Sequence, residues 1–281
     1  EWNRCLRTGM MRISFLKKNS EMTALITSFV NPKGGSGKTV AAVNLAAGIA
    51  DLAYKVLLVD LDAHASASLA LGLKKDPKSG FAGALIADDD IYDFVEKTAN
   101  TNLDVIKASD DLVAVQVALY NQKEGFLTLK RKLDVLNKNY DYIFIDCPST
   151  FDVLTLNALC ASHAFIVPLP CEYYSISALS TVVEYVNSLE EKGLCHAVLA
   201  GILRSYGSNG ESVLNEIQNE VVRIFRKNVF KAIIPEDKSL DESIILGRPL
   251  VTAMPDSPAA KAFRKLCSEF IYKSPFWLRH N

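Results

Sequence analysis

A run of nine residues, Asn31-Pro32-Lys33-Gly34-Gly35-Ser36-Gly37-Lys38-Thr39, constrains this chain more than any other. An apolar stretch, Leu25-Ile26-Thr27-Ser28-Phe29-Val30, precedes it, and an Ala- and Leu-rich stretch from Val40 to Leu52 follows. Strand, glycine loop and helix in that order aim backbone N–H groups and the positive end of a helix at one point. Such a point binds phosphate. Lys38 is placed to reach the outer phosphates, and the Thr39 hydroxyl to ligate Mg²⁺. The ordinary G-x-x-x-x-G-K-[ST] pattern requires glycine at position 32, where this chain has Pro32. A second lysine, Lys33, opens the loop instead. Lys38 already serves the phosphates, so Lys33 has a clear use only if it reaches the nucleotide of a second subunit.

The rest of the chain fits one α/β domain. Apolar runs alternate with helix-forming runs, which predicts a mainly parallel, doubly wound sheet of P-loop NTPase type, with ligands beyond the strand C-termini. The domain is expected over 22–272. Residues 1–21 form a basic tail, either a mobile arm or an extension upstream of Met22, and 273–281 a C-terminal tail beyond a helix that Pro275 breaks. Residues 74–101 are expected to be irregular, with Asp88-Asp89-Asp90 a solvated helix start. Ser109 is expected to cap a helix reaching about Asn139, interrupted near Gly125. The net charge of −1 gives no bulk attraction to nucleic acid or membrane, and the six cysteines have no metal-ligand spacing. They read as reduced thiols in a cytoplasmic protein.

Three acids end apolar strands. Asp60 and Asp62 follow Val56-Leu57-Leu58-Val59, and Asp146 follows Ile143-Phe144-Ile145. A parallel sheet gathers them at the edge that carries the glycine loop. Asp60 and Asp146 are candidates, with Thr39, for the Mg²⁺ site. Asp62, beside the small-residue loop 63–68, is better placed to handle water.

These residues resemble the ParA/Soj partition ATPases, within the wider ParA/MinD group of deviant Walker A ATPases. The resemblance rests on Lys33–Thr39, on Val56–Asp62, on Tyr142–Pro148, on Pro170–Ser175 with Ala178-Leu179, and on Ile234-Pro235 with Gly247–Leu250. It implies that ATP closes two subunits face to face and that Lys33 contacts the partner's phosphates. It also implies that Lys33, Lys38 and Asp62 carry the reaction, and that residues 33–40 (Lys33, Gly34, Gly35, Ser36, Gly37, Lys38, Thr39 and Val40), with Pro235, hold the nucleotide. The homodimer would bind DNA without sequence preference, a ParB-like partner would stimulate slow hydrolysis, and the protein would associate with the nucleoid while a plasmid or chromosome is segregated.

Several positions depart from the family pattern. Ala63-His64-Ala65 stands where Pro-Gln-Gly is usual, and Val40 where a second Thr is usual. Gly207–Gly210 and Glu236–Ser239 lack the usual basic residues. The DNA contacts are therefore expected at Arg223, Arg226, Lys227, Lys238 and Arg248. A MinD-like ATPase that cycles on membranes, and an ATP-binding scaffold that hardly hydrolyses, stand as alternatives. Pro275 argues against the membrane helix that the first of these needs.

Overall fold

Short apolar runs that end in acids form the middle of the sheet, because only strands covered on both faces can be apolar at every position. The computed structural model describes residues 23–74, 81–87, 89–170, 172, 175–205 and 212–277. The basic tail 1–21, the stretch 207–210 and residues 278–281 lie outside the described residues. Three strands, β1 (Leu25–Phe29), β2 (Val56–Asp60) and β5 (Tyr142–Asp146), are buried at every position. With β3 (Val95–Lys97), β4 (Leu103–Ile106), β6 (Ala164–Pro170), β7 (Val198–Ser205) and β8 (Val229–Ile234) they make an eight-stranded sheet, ordered β3-β4-β2-β5-β1-β6-β7-β8. Every pairing is parallel except β3 with β4. β5 runs between β1 and β2, so Asp146 lies level with both Phe29 and Asp60.

Helices cover both faces. On one lie α1 (Lys38–Ala50), α2 (Ser66–Ala70), α9 (Ser239–Ile245), α10 (Leu250–Ala253) and α11 (Pro258–Trp277). On the other lie α3 (Ala82–Ile86), α4 (Leu112–Asn121), α5 (Thr128–Leu136), α6 (Val153–Ala161), α7 (Ser175–Glu191) and α8 (Ser212–Phe225). The layers form two apolar cores separated by the sheet. This is the doubly wound arrangement that the alternation of runs predicts.

Local details differ from the sequence expectations. Residues 74–101 contain α3, a 3-10 turn at Ile91–Phe94 and the antiparallel edge strand β3. β3 has no apolar run. It is held by ion pairs across β4: Lys97 to Asp104 at 2.8 Å and Glu96 to Lys107 at 2.7 Å. Asp90 caps the 3-10 turn, accepting from the Tyr92 N–H; Asp88 is outside the described residues. The residue at the N-terminal boundary of α4 is Asp111 rather than Ser109, and its side chain makes no capping bond. The break before α5 falls at Gly125, where a β-carbon would lie 2.1 Å from the Leu119 carbonyl oxygen.

The C-terminal helix does not stop before Pro275. It runs to Trp277, so 273–277 belong to the domain. Proline removes the N–H that would bond to the Ile271 carbonyl. The Ser274 hydroxyl takes that place, donating to Ile271 O at 3.0 Å. Trp277 then packs on Phe270 with ring centroids 4.9 Å apart.

Candidate nucleotide site

The loop after β1 is pinned at its start. Asn31 is buried; its Nδ2 donates to the Pro168 carbonyl on β6 at 2.7 Å, and its Oδ1 accepts from the Lys33 N–H at 2.9 Å. Gly35 and Gly37 adopt φ of 70° and 85°, a region that disfavours any side chain. A β-carbon on Gly34 or Gly35 would meet nothing within 4 Å, so the loop encloses open space. No side chain caps the N-terminus of α1, which leaves its first N–H groups aimed into that space. A cavity of about 470 Å³ opens there, walled by the loop, Asp62, His64, Ser149 and the segment 240–249.

Lys38 is buried. Its Nζ donates to Ser149 Oγ at 2.7 Å and lies 3.4 Å from the Lys33 carbonyl. Burial pushes its pKa down, against the pull of Asp146, Cys147 and Asp62. The Thr39 hydroxyl donates to Asp146 Oδ2 at 2.7 Å. The other Asp146 oxygen is buried with no partner among the described residues. Burial, then the negative charge of Asp60, push the Asp146 pKa well up. A buried carboxylate oxygen without a donor, beside a threonine hydroxyl at the end of a phosphate-type loop, fits a hydrated divalent cation. The same loop, with its uncapped helix start and buried lysine, fits a nucleotide polyphosphate.

Asp60 sits one residue further inside, a place from which the sequence offers it either a metal or support of the site through hydrogen bonds, and hydrogen bonds are what it makes. It is fully buried. Oδ2 accepts from the Ser68 N–H (2.9 Å) and hydroxyl (2.8 Å), and Oδ1 from the Asp62 N–H (3.2 Å). Both oxygens hold the 61–68 loop to the sheet. Burial pushes its pKa up to about 6, above the unfolded carboxyl value of about 3.9. The folded state therefore holds this proton more tightly. The stabilisation, on the order of 2–3 kcal/mol, is full below about pH 4 and is lost as pH rises through 6. Asp60→Asn should make the melting temperature less dependent on pH across that window in thermal melts. A slope of the same sign from Asp146 remains.

Asp62 reaches the cavity from the end of β2. Its Oδ1 accepts from the His64 N–H at 3.0 Å and lies 2.7 Å from His64 Nδ1. Lys33 does not line the cavity. Its ammonium leaves the loop and pairs with Glu172, 139 residues away in sequence. Pro235 follows β8 and does not line the cavity either, whereas Val40 does.

Arg248, expected on a DNA face, lines this cavity instead. The reason is backbone contact: Gly72 and Gly247, both at positive φ, approach so closely that a β-carbon on either would meet the other's backbone at 2.7 Å. That approach holds the 247–249 turn against the end of α2. The remaining basic candidates are exposed but do not share a face. α8 runs back from the C-terminal edge of β7, so Arg223, Arg226 and Lys227 lie where β8 begins. Lys238 follows β8 at the opposite edge, the edge of the glycine loop. Arg223 is also occupied by Glu220 through two bonds, at 2.6 and 2.8 Å. Ser149, Leu240, Ser243 and Ile244 also line the cavity and are not singled out by sequence. Ser149 carried a signal, since it stands three residues after the strand-ending Asp146.

Fold and site together define a P-loop nucleotide-binding protein with a second lysine at the mouth of its loop. The sequence pattern of the AAA domain matches residues 24–198. The chain is 34% identical over 245 residues to the sporulation initiation inhibitor protein Soj of Bacillus subtilis, covering 87% of this chain and 97% of that protein. It is 33% identical over 248 residues to the chromosome partitioning protein ParA of Myxococcus xanthus, covering 88% of each. The septum site-determining protein MinD of Pyrococcus horikoshii, solved with Mg-ADP, has 28% identity and a TM-score of 0.74 over 90% of this chain and 98% of that one. The chain belongs to the ParA/Soj-type partition ATPases.

Proposed function

We propose that this protein is an ATP-driven partition switch. In this reading ATP and Mg²⁺ bind at residues 33–40 and close two copies face to face. The dimer holds DNA without regard to sequence, and a ParB-like partner stimulates hydrolysis, which releases it. The protein works in the cytoplasm, on the nucleoid, to place a plasmid or chromosome. The observation that carries the reading is the division of labour between the two loop lysines. Lys38 is buried inside the cavity, while Lys33 points away from it to Glu172 and is free to exchange that partner for the other subunit's phosphates.

Each residue has a task on this reading. Lys38 and the N–H groups of residues 34–39 hold the phosphate oxygens. Thr39 and Asp146 hold Mg²⁺, which supplies charge neutralisation at the phosphates. Asp62 orients and deprotonates the attacking water. The apolar residues Phe270, Ile271 and Trp277 of the C-terminal helix are buried, so these three are turned to the core and not to a membrane surface. No described helix is long and apolar enough to cross a membrane.

DNA cosedimentation with ATP, ADP and no nucleotide, at two salt concentrations, tests the proposal. Binding should require ATP and weaken steeply with salt. Indifference to DNA with ATP at low salt removes the DNA role and favours the scaffold alternative. Lys33→Ala should keep ADP binding and lose the ATP-dependent dimer in light scattering.

The two basic groups lie at opposite edges, and the dimer would form at the glycine-loop edge. Lys238→Glu should therefore weaken binding to all DNA sequences alike and lower the salt slope. Arg226→Glu with Lys227→Glu, at the far edge, should change it less. The reverse order of effects places the DNA on the far edge.

A further inference from the structure

The loop 61–65 contains a pair of which the proposed cycle uses only Asp62. His64 donates its backbone N–H to Asp62 Oδ1 at 3.0 Å, and its ring Nδ1 lies 2.7 Å from the same oxygen. An ionised carboxylate only accepts hydrogen bonds, so the ring must carry its proton on Nδ1. One residue thus takes Asp62 Oδ1 twice. Oδ2 is the oxygen left for the cavity that both residues line. The Asp62 side chain is only 18% exposed, whereas that of His64 is 87% exposed. A sheltered carboxylate is therefore held by an exposed ring.

We infer that His64 is a positioning residue for hydrolysis: it orients the Asp62 carboxylate through Nδ1–H and turns the free oxygen to the cavity. This rests on the reading of Asp62 as the group that handles water. The two bonds to Oδ1 fix the carboxylate's rotamer, so Oδ2 is presented to the cavity in one orientation. The other charged groups at the pair are Lys38 from α1, Asp60 beneath the loop, Asp146 at the end of β5, and Arg248 from the turn before α10.

Two measurements on the full chain test the inference. The first needs no turnover. Nitrogen-resolved NMR of the four histidines, with the His64 signal assigned by its loss in His64→Gln, should find His64 in the Nδ1–H tautomer. Asp62→Ala should return it to the Nε2–H form that free imidazole favours. The second is ATP turnover. Gln keeps an N–H donor, so His64→Gln should retain most of the activity. His64→Ala should turn over about tenfold slower, with nucleotide affinity unchanged.

An Nε2–H tautomer in the unsubstituted protein overturns the inference, as does turnover in His64→Ala equal to that of the unsubstituted protein. If those results occur while Asp62→Ala still abolishes turnover, only the role of His64 is lost. If Asp62→Ala turns over normally, the reading of Asp62 falls and this inference with it.

Discussion

Lys38→Ala should lower nucleotide affinity by about a hundredfold or more, read by calorimetry or by a fluorescent nucleotide. A buried ammonium gives charge-assisted bonds to phosphate oxygens, and losing one partner of a buried charged contact costs about 3–5 kcal/mol. Among the described residues Lys38 is the one lysine within the cavity walls, so no neighbouring ammonium there replaces it. The substitution should leave the fold intact. Asp146, which loses a favourable charge, already has its pKa raised by burial and can take up a proton instead of standing as an unpaired buried anion. Melting temperatures within a few degrees of the unsubstituted protein would accompany the loss of binding. Nucleotide affinity within threefold of the original would show that the loop's N–H groups carry the binding alone.

Asp62→Ala should lower turnover by about a hundredfold to ten-thousandfold, the usual contribution of a positioned general base, while nucleotide binding persists. The geometry separates the two effects. The hydrogen bonds found for Asp62 join it to His64, to Asp60 and, through its carbonyl, to Ala65, and none joins it to the glycine loop. Asp60 remains clamped to Ser68, so the chain around position 62 keeps its path. ATP should then accumulate on the protein unhydrolysed, and the ATP-dependent dimer should be trapped. Asp62→Asn sharpens the test: it keeps an acceptor for His64 but cannot take a proton. Its turnover should be as low as that of Asp62→Ala. Near-normal turnover in Asp62→Asn would reduce Asp62 to an orienting role.

The glycine loop, the central strands and the acids that end them were legible in the sequence, because each follows from local rules. Positive φ at residues 35 and 37 selects glycine, and strands covered on both faces select unbroken apolar runs. A parallel sheet then carries the residues that follow those runs to one edge. Position along the strand could not say what each acid does there. Asp60 and Asp146 are level in the sheet, yet one holds a loop and the other keeps an oxygen free.

What the tertiary structure decided depends on partners far away in the chain. Lys33 meets Glu172, and the turn bearing Arg248 is held by the backbone of Gly72. The C-terminal helix passes Pro275 because Ser274 satisfies the orphaned carbonyl and the core takes Trp277. The basic residues 223–227 and Lys238 are neighbours in sequence, but the length of β8 carries them to opposite edges of the sheet. A sequence pattern records which residue types a local conformation tolerates; which distant group each side chain meets is set only when the layers pack.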